Sequence, residues 1–163
     1  MTIMLKIDRL SKTYNNGTVA LREVSLTVEP GEFVVVLGKS GSGKSTLMRC
    51  INRLVEPSSG SIFLDGEEVT GASPKRLREL RKKTGMIFQQ YNLIPRYSVQ
   101  SNALMGRLAS ISSVASMINC FLGEDVARSR QVLDRLGLAD KCSHRSEELS
   151  GGQQQRVGLA RAL

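Results

Sequence analysis

A loop rich in glycine and serine, with lysines at two positions, is the part of this sequence best equipped for chemistry. It reads Gly38-Lys39-Ser40-Gly41-Ser42-Gly43-Lys44-Ser45-Thr46 and fits the pattern G-x-x-x-x-G-K-[ST]. Glycines let the backbone curl around phosphates, Lys44 adds a full positive charge, and the Ser45 hydroxyl can ligate Mg²⁺. The loop therefore predicts a nucleoside triphosphate site. The alternative is an ordinary strand-to-helix turn.

The elements on either side of the loop are those that such a site requires. The apolar, β-branched run Glu32–Leu37 has the length of a strand and predicts a buried one. A helix is predicted directly after the loop from apolar residues at helical spacing, namely Leu47, Cys50, Ile51 and Leu54. Because the first amides of a helix are unpaired and its N-terminus carries a partial positive charge, the helix start should attract phosphate.

A second helix start has similar properties. The segment Leu149-Ser150-Gly151-Gly152-Gln153 precedes a helix predicted over residues 154–163. Ser150 is a favourable N-cap, and the two glycines leave the first amides of the helix accessible. The segment predicts a second anion site, although a Ser-Gly-Gly start is common and, taken alone, favours a purely structural cap.

Two β-hairpins are predicted around the phosphate loop. Met4–Leu10 and Ala20–Val28 alternate in polarity, with Asn15-Asn16-Gly17 between them as the turn. After the loop helix, Ser61–Leu64 turns at Asp65-Gly66 and returns through Glu67–Val69.

The remainder of the chain is predicted to be mainly helical. A basic helix is followed by a buried strand, Gly85–Phe88, and then by a helical stretch from about Val99 to Leu138. Within that stretch, Ser110–Cys120 is rich in serine and only weakly periodic, whereas Asp125–Leu136 is clearly periodic and stops at Gly137. Its expected inner edge consists of Val126, Leu133 and Leu136.

The net charge of +8 comes largely from one basic segment, residues 75–83. Six of its residues are basic against one acid, Glu79, and they are Lys75, Arg76, Arg78, Arg81, Lys82 and Lys83. Ser73-Pro74 provides an N-cap and first turn, and Leu77 and Leu80 form an apolar edge, which predicts a helix with a solvated basic face. No aromatic residues interleave to stack bases, so we expect no nucleic-acid partner.

The composition is that of a soluble globular domain. At 163 residues with 40% hydrophobic content there is enough material for one core. No run approaches the ~18 apolar residues of a membrane span, and no signal-peptide block opens the chain. The three cysteines, Cys50, Cys120 and Cys142, lack metal-ligand spacing and are expected to be reduced thiols without chemistry.

Taken together, the phosphate loop, the strand ending at Phe88-Gln89 and the Ser-Gly-Gly helix start resemble the ATP-binding subunits of ABC transporters over the whole chain. The resemblance implies an α/β fold, a P-loop NTPase core with an antiparallel β subdomain and a helical subdomain, of which the C-terminal part is missing. The implied partial domain places the β subdomain and phosphate-loop core in residues 1–95, the helical subdomain in 96–150 and the signature helix in 151–163.

The resemblance also implies residue roles. Tyr14 would stack on the adenine of ATP, Lys44 and Ser45 would hold the phosphates and Mg²⁺, and Gln89 would reach the metal and the attacking water. The Ser150 segment would contact the γ-phosphate of ATP bound to the opposite subunit. Tyr14 could otherwise be an ordinary strand-end aromatic, and Gln89 a polar strand cap. The implied nucleotide-binding residues are Tyr14, Gly38, Lys39, Ser40, Gly41, Ser42, Gly43, Lys44, Ser45, Thr46, Ser150, Gly151, Gly152 and Gln153.

A narrower resemblance, to the ATPase subunits of bacterial phosphonate importers, rests on residues 89–96, Ser98-Val99, Asn102, Leu104, Gly106-Arg107-Leu108 and residues 136–141. ATPases for amino-acid import share Gln89-Gln90 but usually lack the Gly-Arg-Leu, and Ser101 stands where relatives usually carry an acid. The implied function is ATP-driven import of phosphonate or a related oxyanion. The implied partners are a second ATPase subunit sandwiching two ATP, transmembrane permease subunits and, indirectly, a periplasmic or extracellular substrate-binding protein. The implied location is peripheral, on the cytoplasmic face of the cell membrane.

In the family, a hydrophobic strand ending in Asp-Glu and a switch histidine follow the helix that here reaches Leu163. These acids order Mg²⁺ and polarise the attacking water, so the 163 residues alone are expected to hydrolyse ATP poorly. Residues 33–37 are also expected to lose sheet neighbours. His144 precedes the signature and is interpreted as a loop histidine. The alternative functions are a non-hydrolysing nucleotide-binding fragment of such a subunit and an ATPase subunit for amino-acid import. An ATPase of DNA repair or translation would need coiled-coil insertions or a second ATPase domain.

Overall fold

The computed structural model describes residues 4–109 and 121–163. The predicted weakly periodic segment Ser110–Cys120 therefore lies outside the described residues. The chain divides into two compact units, Met1–Arg81 and Lys82–Leu163, which are treated separately below.

The first unit is built on a four-stranded antiparallel sheet in the order β2-β1-β3-β4. The strands are β1 (Leu5–Thr13), β2 (Val19–Val28), β3 (Ser59–Leu64) and β4 (Glu67–Glu68). Both predicted hairpins are confirmed. Asp65 and Gly66 have φ of 50° and 78°, the left-handed pair that a two-residue turn of the right twist requires. Register shifts in β1 and β2 accompany positive φ at Arg9 and Glu23, as expected of β-bulges.

Helix α1 (Lys44–Ile51) covers the sheet of the first unit. As predicted, Leu47 and Cys50 are buried, and they join a core formed by Ile7, Leu10, Leu21, Ile62, Leu64, Val69 and Leu80. The helix ends before Leu54, which is 49% exposed. The burial of Cys50 confirms its interpretation as a packing residue.

The basic segment forms α2 (Pro74–Lys82), and the predicted solvated helix is confirmed. Leu80 is buried while Lys75 and Arg78 are exposed. Arg81 links α2 to the end of α1, because its guanidinium donates to the backbone oxygens of Asn52 (2.9 Å) and Arg53 (2.8 Å).

Two predicted buried strands are wrong. Residues 32–37 form no strand, and Phe33 and Leu37 are 89% and 87% exposed. Residues 85–88 of the second unit likewise form no strand, and Ile87 is 44% exposed. Apolar composition alone does not make a buried strand, because a strand also needs a hydrogen-bonded neighbour. In the described parts of the chain the sheet pairs only β1 to β4.

The second unit is helical. It contains α3 (Val99–Leu104), α4 (Gly123–Arg135) and α5 (Gly151–Ala162), with 3₁₀ turns at Met105–Ala109, Ala139–Lys141 and Ser146–Glu148. Its buried core consists of Val99, Ala103, Leu133, Leu138, Leu149, Val157 and Ala160. Of the predicted inner edge of α4, Leu133 is fully buried, while Val126 and Leu136 are only half-buried. His144 lies in a loop, as predicted.

Helix α4 ends as its sequence predicts. The Gly137 amide donates to Asp134 O and the Leu138 amide to Leu133 O, both at 2.9 Å, which is the paired arrangement of a glycine C-cap. Arg156 of α5 donates to the carbonyl of Leu136 at 3.0 Å and satisfies another group of this helix end. Across the residues that the structure describes, no helix is both long and apolar enough to pass through a bilayer.

Candidate nucleotide-binding site

The phosphate loop leads directly into α1, as predicted. Gly43 is the N-cap, and its φ of 88° lies in the left-handed region. A side chain at this position is also excluded by space, since a Cβ would lie 2.2 Å from the carbonyl oxygen of Ala20. The intrahelical bonds start with the Leu47 amide on Gly43 O at 2.8 Å. The amides of Lys44, Ser45 and Thr46 therefore have no acceptor within the helix and can bind an anion.

Lys44 is folded back over its own loop. Its ammonium group donates to Gly38 O (2.7 Å) and Lys39 O (2.8 Å) and lies 3.4 Å from Ser42 Oγ. These contacts hold the charge over the loop's own backbone. A phosphate bound there would meet a full positive charge and several N–H donors together.

Tyr14 follows β1 and lies beside the start of α1. Its hydroxyl is 3.2 Å from Thr46 Oγ1, and either oxygen can donate. Lys12, two residues earlier, lies over the ring with Nζ at 5.3 Å from the centroid. The structure therefore brings Tyr14 together with the phosphate loop inside the first unit. Lys12 was missed by the sequence reasoning, although its i, i+2 spacing from Tyr14 places both on one side of an extended chain.

In the second unit, Gln89 opens a tight turn that α5 holds in place. Tyr91 and Asn92 have φ of 56° and 48°, a conformation that is costly for residues other than glycine. Arg161 of α5 donates to both of their carbonyls, to Asn92 O at 2.8 Å and also to Tyr91 O. Burial lowers the pKa of the Arg161 guanidinium, because the charged form loses solvation. Sequence reasoning gave no role to Arg161.

The helix start at Ser150 matches the prediction. Ser150 Oγ accepts from the Gln153 amide at 3.4 Å, and Gln153 Oε1 accepts from the Ser150 amide at 2.9 Å, a capping box. The side chain of Gln153 is thus engaged in the cap. Gly151 and Gly152 are exposed, and the backbone of this first turn remains accessible. Through Arg161, this same helix is tied to the Gln89 turn.

Similarity to known proteins identifies the family to which this chain belongs. The family model described as ABC transporter matches residues 21–163. This chain belongs to the ABC transporter family. The P-loop ATPase fold expected from the sequence is confirmed, and ATP hydrolysis is the activity of this family.

Similar curated proteins carry a more specific name. Phosphonates import ATP-binding protein PhnC 2 of Halalkalibacterium halodurans is 48% identical over 161 residues, which cover 99% of this chain and 66% of that protein. The PhnC protein of Lactobacillus acidophilus is 51% identical over 160 residues, which cover 98% of this chain and 62% of that protein. The chain thus spans just under two thirds of the length of these relatives.

Solved structures show the same fold. A structure described as the dimeric form of MJ0796, a bacterial ABC transporter cassette, superposes with a TM-score of 0.82 at 35% identity, covering 98% of this chain and 69% of that one. The same cassette in a post-hydrolysis state bound to ADP and phosphate gives a TM-score of 0.81 at 34% identity, with the same coverage.

The candidate metal ligands are oxygen donors. Ser45 Oγ, at the exposed first turn of α1, and the side-chain oxygen of Gln89 are of the kind that Mg²⁺ prefers. They lie in different units. Among the described residues there is no cluster of histidine, cysteine, aspartate or glutamate that could hold a metal by itself. Oxygen donors of this kind fit Mg²⁺, which in nucleotide sites takes few protein ligands and completes its shell with water and phosphate oxygens.

Proposed function

We propose that this chain is the nucleotide-binding portion of an ATPase subunit that drives import of phosphonate or a related oxyanion. The observation that carries the proposal is the phosphate loop, where the Lys44 ammonium is held over Gly38 and Lys39 and the first amides of α1 have no acceptor within the helix. The relatives named for phosphonate import, at about half identity over nearly the whole chain, support the substrate class.

In this proposal, Gly38–Thr46 hold the triphosphate of ATP and Tyr14 stacks on the base. Ser45 and Gln89 serve as Mg²⁺ ligands, and Gln89 also positions the attacking water. The start of α5, Ser150 to Gln153, offers its amides to a nucleotide held by a second subunit. The proposed functional regions are 1–95 for the β subdomain and phosphate-loop core, 96–150 for the helical subdomain and 151–163 for the signature helix.

The proposed partners are a second ATPase subunit and membrane permease subunits, with a substrate-binding protein acting through the permease. The name of the dimeric cassette supports the first, and the import names of the relatives support the second. A peripheral position on the cytoplasmic face of the cell membrane follows from such an assembly.

Nucleotide binding is assigned to these 163 residues, and rapid hydrolysis to a protein of the relatives' length. The resemblance places the metal-ordering Asp and the water-polarising Glu beyond the matched region. Because phosphoryl transfer depends on such positioning and charge stabilisation, turnover should be far more sensitive to their absence than binding.

The test is calorimetric titration with ATP and Mg²⁺, alongside steady-state phosphate release. Lys44→Ala should weaken ATP binding by at least an order of magnitude, because a charge-assisted contact worth roughly 1.5–3 kcal/mol is lost. Lys6→Met, on the exposed side of β1, removes an equal charge as a matched control. Unchanged ATP affinity in Lys44→Ala would refute the phosphate-loop assignment.

A second experiment tests hydrolysis. Fusing the C-terminal third of a relative after Leu163 should raise phosphate release and give one cooperative unfolding transition. No gain in phosphate release over the 163 residues would contradict the assignment of hydrolysis.

A further inference from the structure

Lys12 is a half-exposed lysine near the end of β1, an inner strand of the sheet, and its ammonium has two contacts that fix its position. Its ammonium lies over the ring of Tyr14, with Nζ at 5.3 Å from the ring centroid. The same nitrogen donates to the backbone oxygen of Glu56 at 2.6 Å. The hydrogen bond to Glu56 O holds the ammonium over the ring of Tyr14. The side chain thus links the end of β1 to the segment that follows α1.

Tyr14 is held from two further directions. Its hydroxyl contacts Thr46 Oγ1 at 3.2 Å. Its backbone closes the first hairpin turn, since the Tyr14 amide donates to Thr18 O and the Gly17 amide to Tyr14 O, both at 2.9 Å. The ring is thus constrained at its backbone, at its hydroxyl and over one face, yet the residue remains half-buried rather than enclosed.

The cation over one face of the ring limits where a ligand can stack. A cation within about 6 Å of an aromatic centroid is attracted by roughly 0.5–1 kcal/mol at exposed sites. With Lys12 on one side, a planar base can stack only on the other. A ring that is already oriented loses little freedom when the base arrives, and such pre-organisation raises affinity.

We propose that Lys12 is a positioning residue for the nucleotide base. It acts through Tyr14, by holding the ring in the orientation in which the exposed face receives a purine. This inference rests on the proposed function, because it presupposes that a nucleotide binds at the phosphate loop. It adds a residue that contributes to recognition of the base and not to the grip on the phosphates.

The test compares ATP with inorganic tripolyphosphate, which carries the phosphates without a base. Lys12→Met keeps the aliphatic stem and removes the charge. It should weaken ATP binding about two- to fivefold, from the cation–π range converted at 1.4 kcal/mol per factor of ten, and leave tripolyphosphate binding unchanged. Lys12→Arg should restore the wild-type preference for ATP, because a guanidinium also lies favourably over an aromatic ring. Lys6→Met, in the same strand, controls for the loss of one positive charge.

A double-mutant cycle with Tyr14→Leu completes the design. If Lys12 acts through the ring, Lys12→Met should have no further effect on ATP affinity once the ring is absent. Equal weakening of ATP and tripolyphosphate, or the same loss in the Tyr14→Leu background, would overturn the proposal and make Lys12 a direct phosphate contact. Failure of the proposed function has a different signature, because then the unsubstituted chain binds neither ligand, or binds both regardless of Lys44→Ala. Circular dichroism of each variant confirms that the fold is retained.

Discussion

Replacing Arg161 by methionine should release the Gln89 turn from α5. The guanidinium donates two charge-assisted hydrogen bonds to the carbonyls of Tyr91 and Asn92. Bonds of this kind contribute roughly 1.5–3 kcal/mol each when they are well shielded. Arg161 is half-buried, so we take the lower value for both, about 3 kcal/mol in total. Methionine keeps the apolar stem, so the packing of the side chain is largely retained.

Part of that loss is recovered when the turn opens. The two left-handed residues cost roughly 1–2 kcal/mol each to hold, and relaxing one of them returns about that amount. The net destabilisation of the turn should therefore be about 1–2 kcal/mol, which corresponds to a factor of roughly 5–30 in its opening equilibrium. Hydrogen exchange by mass spectrometry should show the amides of Tyr91 and Asn92 exchanging faster by that factor.

The control for this experiment is Arg128→Met, which removes an exposed arginine from α4 in the same unit. It should leave exchange in residues 88–93 unchanged. Exchange rates in Arg161→Met equal to those of the control, with an unchanged denaturation midpoint, would show that α5 does not hold the turn.

Three other outcomes are expected. Asn102→Ala should lower the free energy of unfolding by about 2 kcal/mol in denaturant titrations, because the fully buried amide oxygen accepts from Ile94 N at 2.8 Å and its loss leaves that N–H unpaired. The carbonyl of Ile94 also loses the Asn102 amide at 3.0 Å but keeps the Ser146 hydroxyl at 2.7 Å. A loss below ~1 kcal/mol would contradict this. Fluorescence anisotropy should show no salt-sensitive micromolar binding of DNA or RNA, and micromolar binding abolished by neutralising Lys75 and Arg78 would refute the solvated-face interpretation. Burial raises the pKa of the Cys50 thiol, so its thiolate fraction at pH 8 lies below that of a free cysteine and grows with pH. Iodoacetamide should therefore label Cys50 slowly in the folded chain and faster as the pH rises. Rapid labelling at pH 8 would show that α1 is not packed as described.

Features encoded by a few neighbouring residues were predictable from the sequence. The turn at Asp65-Gly66, the cap at Ser150 and the stop at Gly137 were all placed correctly. Each depends on the conformational preference of one or two residues, which the sequence states directly. The phosphate loop belongs to the same class, because its glycines and lysine act within nine consecutive positions.

Features that depend on distant neighbours were not predictable in this way. Residues 33–37 are apolar and β-branched, but strand formation requires a partner strand, and composition does not name one. The contact of Arg161 with Tyr91 and Asn92 joins positions 70 and 69 apart in sequence. No local pattern marks that arginine as different from the other basic residues of the chain.

The end of α5 explains why a glycine at position 106 matters to this chain. A Cβ at Gly106 would lie 2.0 Å from the carbonyl oxygen of Arg161, and one at Gly85 would lie 2.6 Å from that of Ala162. Two segments thus approach the last turn of α5 as closely as backbone can, while the side chain of Arg161 extends to the Gln89 turn. The Gly-Arg-Leu of residues 106–108 therefore has a packing role. Its glycine admits the helix that carries the Ser-Gly-Gly start, and its arginine pairs with Asp125 of α4 at 2.8 Å. Within the second unit, Gly106 and Arg107 thus help to fix the position of the helix whose first turn is proposed to meet the nucleotide.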